Sequence, residues 1–334
     1  RVPGGAQAQD TQLLIASGHI PTAQMDDSSA QAVCLAPVYL AFGPAAADSD
    51  LCVTLLLLSD THCMHHELPP PPCVERPDMT VLVHAGDFTR KGSVAEVEAF
   101  NTWLGALPQP YAAVLVVAGN HCQGPFCEFA QGTREQQSTW LSAATLLHDD
   151  SIEVTLGVVA ASPARCAIGP GQGSDVDGAD SAGGGNGAAP RSATVRVHGS
   201  GWAARTRRKI PPGVDVLVTH DPPAGLLDGG HGDADLASQL DALAAGGAAP
   251  LLHVFGHVHE ARGHCFHHSP VAAGEVDHDA VGDADPLEGE IGCRLSVNAA
   301  VANDGMVSRT VVRGWTVVTL PLSRLILQQH HQQQ

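Results

Sequence analysis

Five short strings in this chain carry side chains of the kind that hold transition metals. Asp60-Thr61-His62 sets a carboxylate close to an imidazole. Gly86-Asp87 places a carboxylate beside a residue with no side chain, which permits close approach. Gly119-Asn120-His121 offers an amide oxygen next to an imidazole, and His220 and Gly256-His257-Val258-His259 add further imidazoles. Mixed imidazole, carboxylate and amide donors suit Mn, Fe or Zn, whereas Ca prefers oxygen alone. A carboxylate shared by two such ions can bridge them, and two ions a few Å apart can activate a water and clamp a transferring phosphoryl group. Any one string arises by chance. Their recurrence in one chain, each after an apolar run, carries the inference.

The elements that must position these residues are read from the apolar pattern. Residues 51–58, 80–84, 113–117, 214–218 and 251–255 are apolar runs of buried-strand length, and each ends at one of the five strings. In open α/β folds, ligands bind outside the C-terminal ends of strands, where successive loops converge. A helix is predicted from Ser93, where Ser93 and Glu96 fit a capping box; Val97, Phe100, Trp103 and Leu104 follow at helical spacing, and Pro108 closes the segment. Further helices are predicted over 135–147 and 235–245, and further strands over 152–155, 157–160, 294–297 and 316–320. Residues 1–50 lack a clear period and read as an N-terminal extension. The domain is expected over 51–322, with low-complexity insertions at 164–192 and 262–292 and a disordered His/Gln tail at 323–334.

Composition bounds the partners. The 334 residues are 44% hydrophobic, enough for a sizeable core, while 36 glycines and 23 prolines dilute it with loops. A formal charge of −18 argues against duplex nucleic acid, whose binding depends on Lys and Arg, and leaves a small phosphorylated or nucleotide substrate open. Nine cysteines without zinc-finger spacing read as reduced thiols, and no run reaches membrane-spanning length, so a cytoplasmic protein is expected. The chain opens at Arg1 rather than Met, which leaves an upstream targeting segment open. Oligomeric state is not legible.

The strings SDTH at 59–62, HAGDFT at 84–89, AGNH at 118–121, TH at 219–220 and FGHVHE at 255–260 resemble the calcineurin-like metallophosphoesterase superfamily. The stretches at 93–108, 211–228, 251–260 and 297–301 resemble its metallophosphoesterase-domain-containing (MPPED) subgroup. The resemblance covers most of 51–320 outside the insertions. It implies a four-layer α/β/β/α sandwich with two mixed β-sheets. It also implies that Asp60, His62, Asp87 and His259 hold one divalent ion, and that Asp87, Asn120, His220 and His257 hold a second, the pair being Mn or Fe/Zn. His121 would then be a non-ligand catalyst that donates a proton to the leaving oxygen or stabilises phosphoryl charge, while a bridging hydroxide attacks phosphorus. The subgroup resemblance favours phosphodiesters, including cyclic nucleotides, over phosphomonoesters.

One departure is Cys122, where many members carry an acid that orients the preceding histidine. It leads us to expect reduced activity and, together with the long insertions, it motivates an alternative: a weakly active or inactive metal- or nucleotide-binding signalling protein of the same fold. A redox switch at Cys122 and a nuclease activity are weaker alternatives. His65, His66, His267, His268, His330 and His331 are expected on exposed loops or the tail. Arg205, Arg207, Arg208 and Lys209 are expected on a solvated connector. Asn298 is expected near the site without ligating.

Overall fold

The computed structural model describes residues 36–41, 52–157, 193–202, 208–268, 293–303 and 309–321. In chain order the first half contains β1 (Val38–Ala41), β2 (Cys52–Leu58), β3 (Thr80–His84), α1 (Val94–Gly105) and β4 (Ala113–Val117). The short helices α2 (Asn120–Gln123), α3 (Glu128–Gln131) and α4 (Arg134–Trp140) follow, then β5 (Thr145–Leu147) and β6 (Asp150–Leu156). The second half contains β7 (Ala193–Ser200), β8 (Val216–Thr219), α5 (Ala234–Ala245), β9 (Leu252–Phe255), β10 (Gly263–His268), β11 (Cys293–Asn298) and β12 (Thr316–Pro321).

Among the described residues the strands form two six-stranded sheets, ordered β1-β12-β2-β3-β4-β5 and β10-β11-β9-β8-β7-β6. Both are mixed. In the first, β2 to β5 run parallel and β12 lies antiparallel to β2. In the second, β7, β8, β9 and β11 are parallel, flanked by antiparallel edges at β6 and β10.

Strand periodicity explains the layers. Along β2, Val53, Leu55 and Leu57 face the second sheet and join one core with Val195, Val197, Val216, Val218, Leu252 and Val254. Leu56 and Leu58 point the other way, into a cluster with Val97, Phe100 and Leu104 of α1 and Phe129 of α3. Across the molecule, Leu217 packs on Leu236 and Leu240 of α5. Helix, sheet, sheet, helix is therefore the layer order. Both faces of the inner strands are buried, which is why they read as unbroken apolar runs.

Local chemistry sets the helix boundaries. The Ser93 side chain accepts from Glu96 N while the Glu96 side chain accepts from Ser93 N, closing the predicted capping box of α1. The predicted helix over 135–147 is corrected. Capped by Thr133, α4 stops at Trp140. Asn101 Oδ1 takes the Ala143 amide at 2.7 Å, and the chain then pairs with β4 as β5. The pair predicted over 152–155 and 157–160 is one strand, β6, as far as Leu156; 158–160 lies outside the described residues. Besides β5, three further strands lie where none was expected. β1, within the supposed extension, pairs parallel with β12. β7 returns the chain before residue 200, and β10 occupies the start of the supposed insertion at 262–292. Residues 164–192, 269–292 and 323–334 lie outside the described residues.

Candidate metal centre

The five strings meet at one rim. Asp60 and His62 follow β2, Asp87 follows β3, Asn120 and His121 follow β4, His220 follows β8, and His257 and His259 follow β9. Backbone bonds lace these ends together: Asp60 N donates to Gly86 O (2.9 Å), His62 N to Asp87 O (2.9 Å) and Gly256 N to His220 O (3.1 Å). The sheets are tied across the gap where His220 Nδ1 meets Ala85 O at 2.9 Å.

The rim backbone departs from strand geometry. Asp60, His62, Asp87 and His257 have φ of 58, 43, 56 and 67°. That left-handed region is costly for residues with a Cβ and is tolerated where the surrounding structure imposes it, often at functional sites. The glycines beside them are required by space. A Cβ on Gly119 would overlap Asp87 Oδ1 and the His220 ring, and one on Gly256 would overlap Ser59 and Asp60 Oδ2.

Among the described residues, donor atoms converge in three groups: Asp60, His62 and His259; Asp60, Asp87 and His220; and His62, Asp87 and His121, each within 4.8 Å. His62 Nε2 lies 3.2 Å from His259 Nε2, 3.8 Å from Asp60 Oδ1 and 3.9 Å from Asp87 Oδ2. His259 Nε2 is 3.1 Å from Asp60 Oδ1. His220 Nε2 is 3.0 Å from Asn120 Oδ1 and 3.4 Å from Asp87 Oδ2, and His257 Nδ1 is 3.1 Å from Asn120 Oδ1. The seven ligand candidates named from the sequence are therefore brought together with His121.

The donor set fits cations. His220 Nδ1 and His259 Nδ1 face the carbonyls of Ala85 and Asn303, at 2.9 and 2.8 Å, so each must carry the hydrogen there. In the neutral rings Nε2 is then a bare lone pair aimed at buried carboxylates. Lone pairs facing lone pairs need a proton or a metal ion between them. Without an ion the proton serves. Burial pulls His220 down, but the charge and hydrogen bond of Asp87, with Asp60 behind, raise it to about 10. Burial pushes Asp60 and Asp87 up, yet the imidazoles around them hold both carboxyls below their usual range.

His121 is oriented by the backbone: its Nδ1 lies 2.8 Å from Arg90 O, and its amide donates to Asp87 Oδ1 at 2.8 Å. Cys122 has no part in that. Its thiol lies in the apolar cluster under α1, accepts from Thr89 Oγ1 at 3.2 Å, and is pushed well up by burial. A fully buried thiol held protonated is a poor redox sensor, which counts against the weaker alternative of a switch there.

Other expectations change too. His65 is buried against Phe100 and Trp103, with ring centroids 5.5 and 5.3 Å away, while His66 is exposed. His267 is half-buried; the side chain of His268, and all of His330 and His331, lie outside the described residues. Arg208 is buried rather than solvated, paired at 3.1 Å with both Asp221, next to His220, and Asp233, the N-cap of α5. Arg205 and Arg207 lie outside the described residues. Asn298 is near the site as expected: its Nδ2 donates to Val258 O at 2.8 Å and to Leu227 O at 3.2 Å, steadying the loop between His257 and His259. Two neighbours were not anticipated. Trp202 sets its ring 5.0 Å from His257, and Arg309 places Nη1 2.9 Å from His62 Nδ1. No helix among the described residues is long and apolar enough to cross a membrane.

Two facing mixed sheets with this donor set at their joined rim define the metallophosphoesterase fold. The family model described as calcineurin-like phosphoesterase matches residues 53–261, and the chain belongs to that family. Within it, the similarity is to the metallophosphoesterase-domain-containing subgroup. Human metallophosphoesterase domain-containing protein 1 is 30% identical over 224 residues, 62% of this chain and 60% of that protein. A UPF0046 protein of Caenorhabditis elegans is 31% identical over 233 residues, 63% of this chain and 70% of that one. The chain thus spans about 60% of the length of the human relative. The calcineurin-like phosphoesterase YfkN from Bacillus subtilis is 12% identical with a TM-score of 0.32, over 84% of this chain and 97% of that one. At that score the topology described above rests on its own strand order.

Proposed function

We propose that this chain is a metal-dependent phosphoesterase acting through a dinuclear site, with phosphodiesters, including cyclic nucleotides, favoured over monoesters. The observation that supports it best is the set of bare imidazole nitrogens aimed at buried carboxylates, which a pair of Mn or Fe/Zn ions would satisfy. Asp60, His62, Asp87 and His259 would hold one ion and Asp87, Asn120, His220 and His257 the other, with Asp87 shared. When bound, two such ions supply an activated hydroxide and neutralise phosphoryl oxygens.

The protein's own groups supply the rest. With Nδ1 held at Arg90 O, Nε2 is the nitrogen left to act in a ring that is grouped with His62 and Asp87. A protonated Nε2 there hydrogen-bonds the leaving oxygen and gives up its proton as the ester bond breaks. The Asp87 carboxylate accepts the His121 amide and so fixes the backbone from which that imidazole projects.

The net charge of −18 argues against duplex nucleic acid and leaves a small phosphorylated substrate open. The free thiols at Cys52, Cys63, Cys73, Cys122, Cys127 and Cys265 support a reducing compartment such as the cytoplasm. The rival reading, a weakly active binding protein of the same fold, drew its motive from Cys122 and from the long insertions. The first of these is weakened, because the orienting contact of His121 comes from the backbone.

Purified protein supplied with Mn should hydrolyse a chromogenic phosphodiester and carry bound metal by elemental analysis. Asp87→Asn should lose both. Nucleotide binding without turnover at saturating Mn would favour the rival, and full activity in Asp87→Asn would end the shared-ligand assignment.

A further inference from the structure

We infer that Arg309 is the arm that grips the phosphoryl oxygens of the substrate, a specificity-determining residue for an anionic phosphoryl group. The inference rests on the phosphoesterase reading above. Arg309 reaches the rim from the segment leading into β12, outside the five strings. Its backbone is tied to the site: Thr310 N donates to Asn303 Oδ1 (2.9 Å), Asn303 N donates to Thr310 O (3.0 Å), and Asn303 O holds His259 Nδ1 (2.8 Å). Its guanidinium spans two imidazoles, with Nη1 2.9 Å from His62 Nδ1 and Nη2 3.5 Å from His121 Nε2.

Two features of this guanidinium matter. Among the described residues no carboxylate pairs with it, whereas Arg76, Arg134, Arg196 and Arg208 each have one. Its present acceptor is also conditional. His62 Nδ1 lies 3.3 Å from Thr89 O, and a His62 ring that turns its Nε2 lone pair to a cation carries its hydrogen on Nδ1 and donates it to that carbonyl. Arg309 Nη1 would then face another donor and lose its partner. The guanidinium, its backbone still pinned by the Asn303–Thr310 pairing, then needs an acceptor with two oxygens in reach, and a planar fork matches the non-bridging oxygens of a phosphoryl group.

The test is calorimetric binding of inorganic phosphate to the Mn-loaded full chain, for wild type, Arg309→Met and Arg309→Lys, with Mn affinity measured separately without phosphate. Arg309→Met should weaken phosphate binding about 10- to 100-fold, the scale of a lost charge-assisted hydrogen bond, and leave Mn affinity within about twofold. Arg309→Lys should recover part of the loss, since a point charge lacks the fork. Phosphate binding equal to wild type in Arg309→Met would overturn the inference, as would loss of Mn in either variant, which would make Arg309 structural. If wild type itself takes up Mn but neither binds phosphate nor cleaves the diester, the phosphoesterase reading falls first.

Discussion

The same strands build two very different regions. Between the sheets, Val53, Leu55 and Leu57 of β2 meet valines and leucines of β7, β8 and β9 in regular extended backbone. Beyond the end of that strand, Asp60 and His62 are equally buried but charged or polar, and both sit at positive φ. The inter-sheet region gains stability by burying apolar surface. The rim holds like charges and strained backbone, arrangements that survive because the region behind them is rigid. A strand here is a rod whose length fixes where a ligand-type side chain emerges.

That contrast can be broken from either side. The largest effect is expected at the rim: Gly119→Ala drives a methyl into Asp87 Oδ1 and the His220 ring, and should lower kcat/KM by about 100- to 1000-fold. Steady-state kinetics on a diester with Mn checks this, and a loss under tenfold would mean the rim tolerates displacement. On the other side, Leu57→Ala removes a fully buried side chain and should destabilise the fold by about 2–5 kcal/mol in urea unfolding. Its kcat/KM per folded molecule should stay within about threefold.

A smaller effect concerns pH. Burial pushes His65 down to about 4, with the charge of His66 adding to it. The unfolded chain, near 6.5, therefore binds the proton first. His65 favours the native state fully above about pH 6.5, and that contribution falls as pH drops toward 4, by at most about 1.4 kcal/mol per unit and less for its residual solvent contact. His65→Phe, packed on the same rings, should flatten this part of the stability curve; an unchanged slope would assign the acid sensitivity elsewhere. Smallest of all, Ser93→Ala removes the cap of α1 and should lower stability by about 1 kcal/mol without touching turnover.

Much of the site was legible because buried strands leave a loud signal. An apolar run such as 80–84, followed at once by Gly86-Asp87, announces both the strand and the residue it delivers. What was missed lacks that signal. β1 is four residues long, and β10 is an edge strand with the sequence GHCFHH, so neither shows an apolar period. Arg208 looked like part of a solvated basic run because its partners, Asp221 and Asp233, come later in the chain. Arg309 follows no apolar run, and only the Asn303–Thr310 pairing carries it to the rim. His65 was misread because histidines in a proline-rich loop give no sign of the aromatic residues on α1 that cover them.

The division of donors between the sheets has a consequence for the life of the molecule. Asp60, Asp87 and Asn120 hang from one sheet, and His220, His257 and His259 from the other. An unfolded chain holds no such set together, so an ion held by both halves would act as a clasp on the native state alone. At a free concentration a hundredfold above its dissociation constant, such an ion adds about 2.7 kcal/mol to stability. Chelation should lower the unfolding temperature as well as stop turnover. Proteolytic survival would then follow the supply of metal, and a chain starved of its ions would be cleared as a misfolded one is.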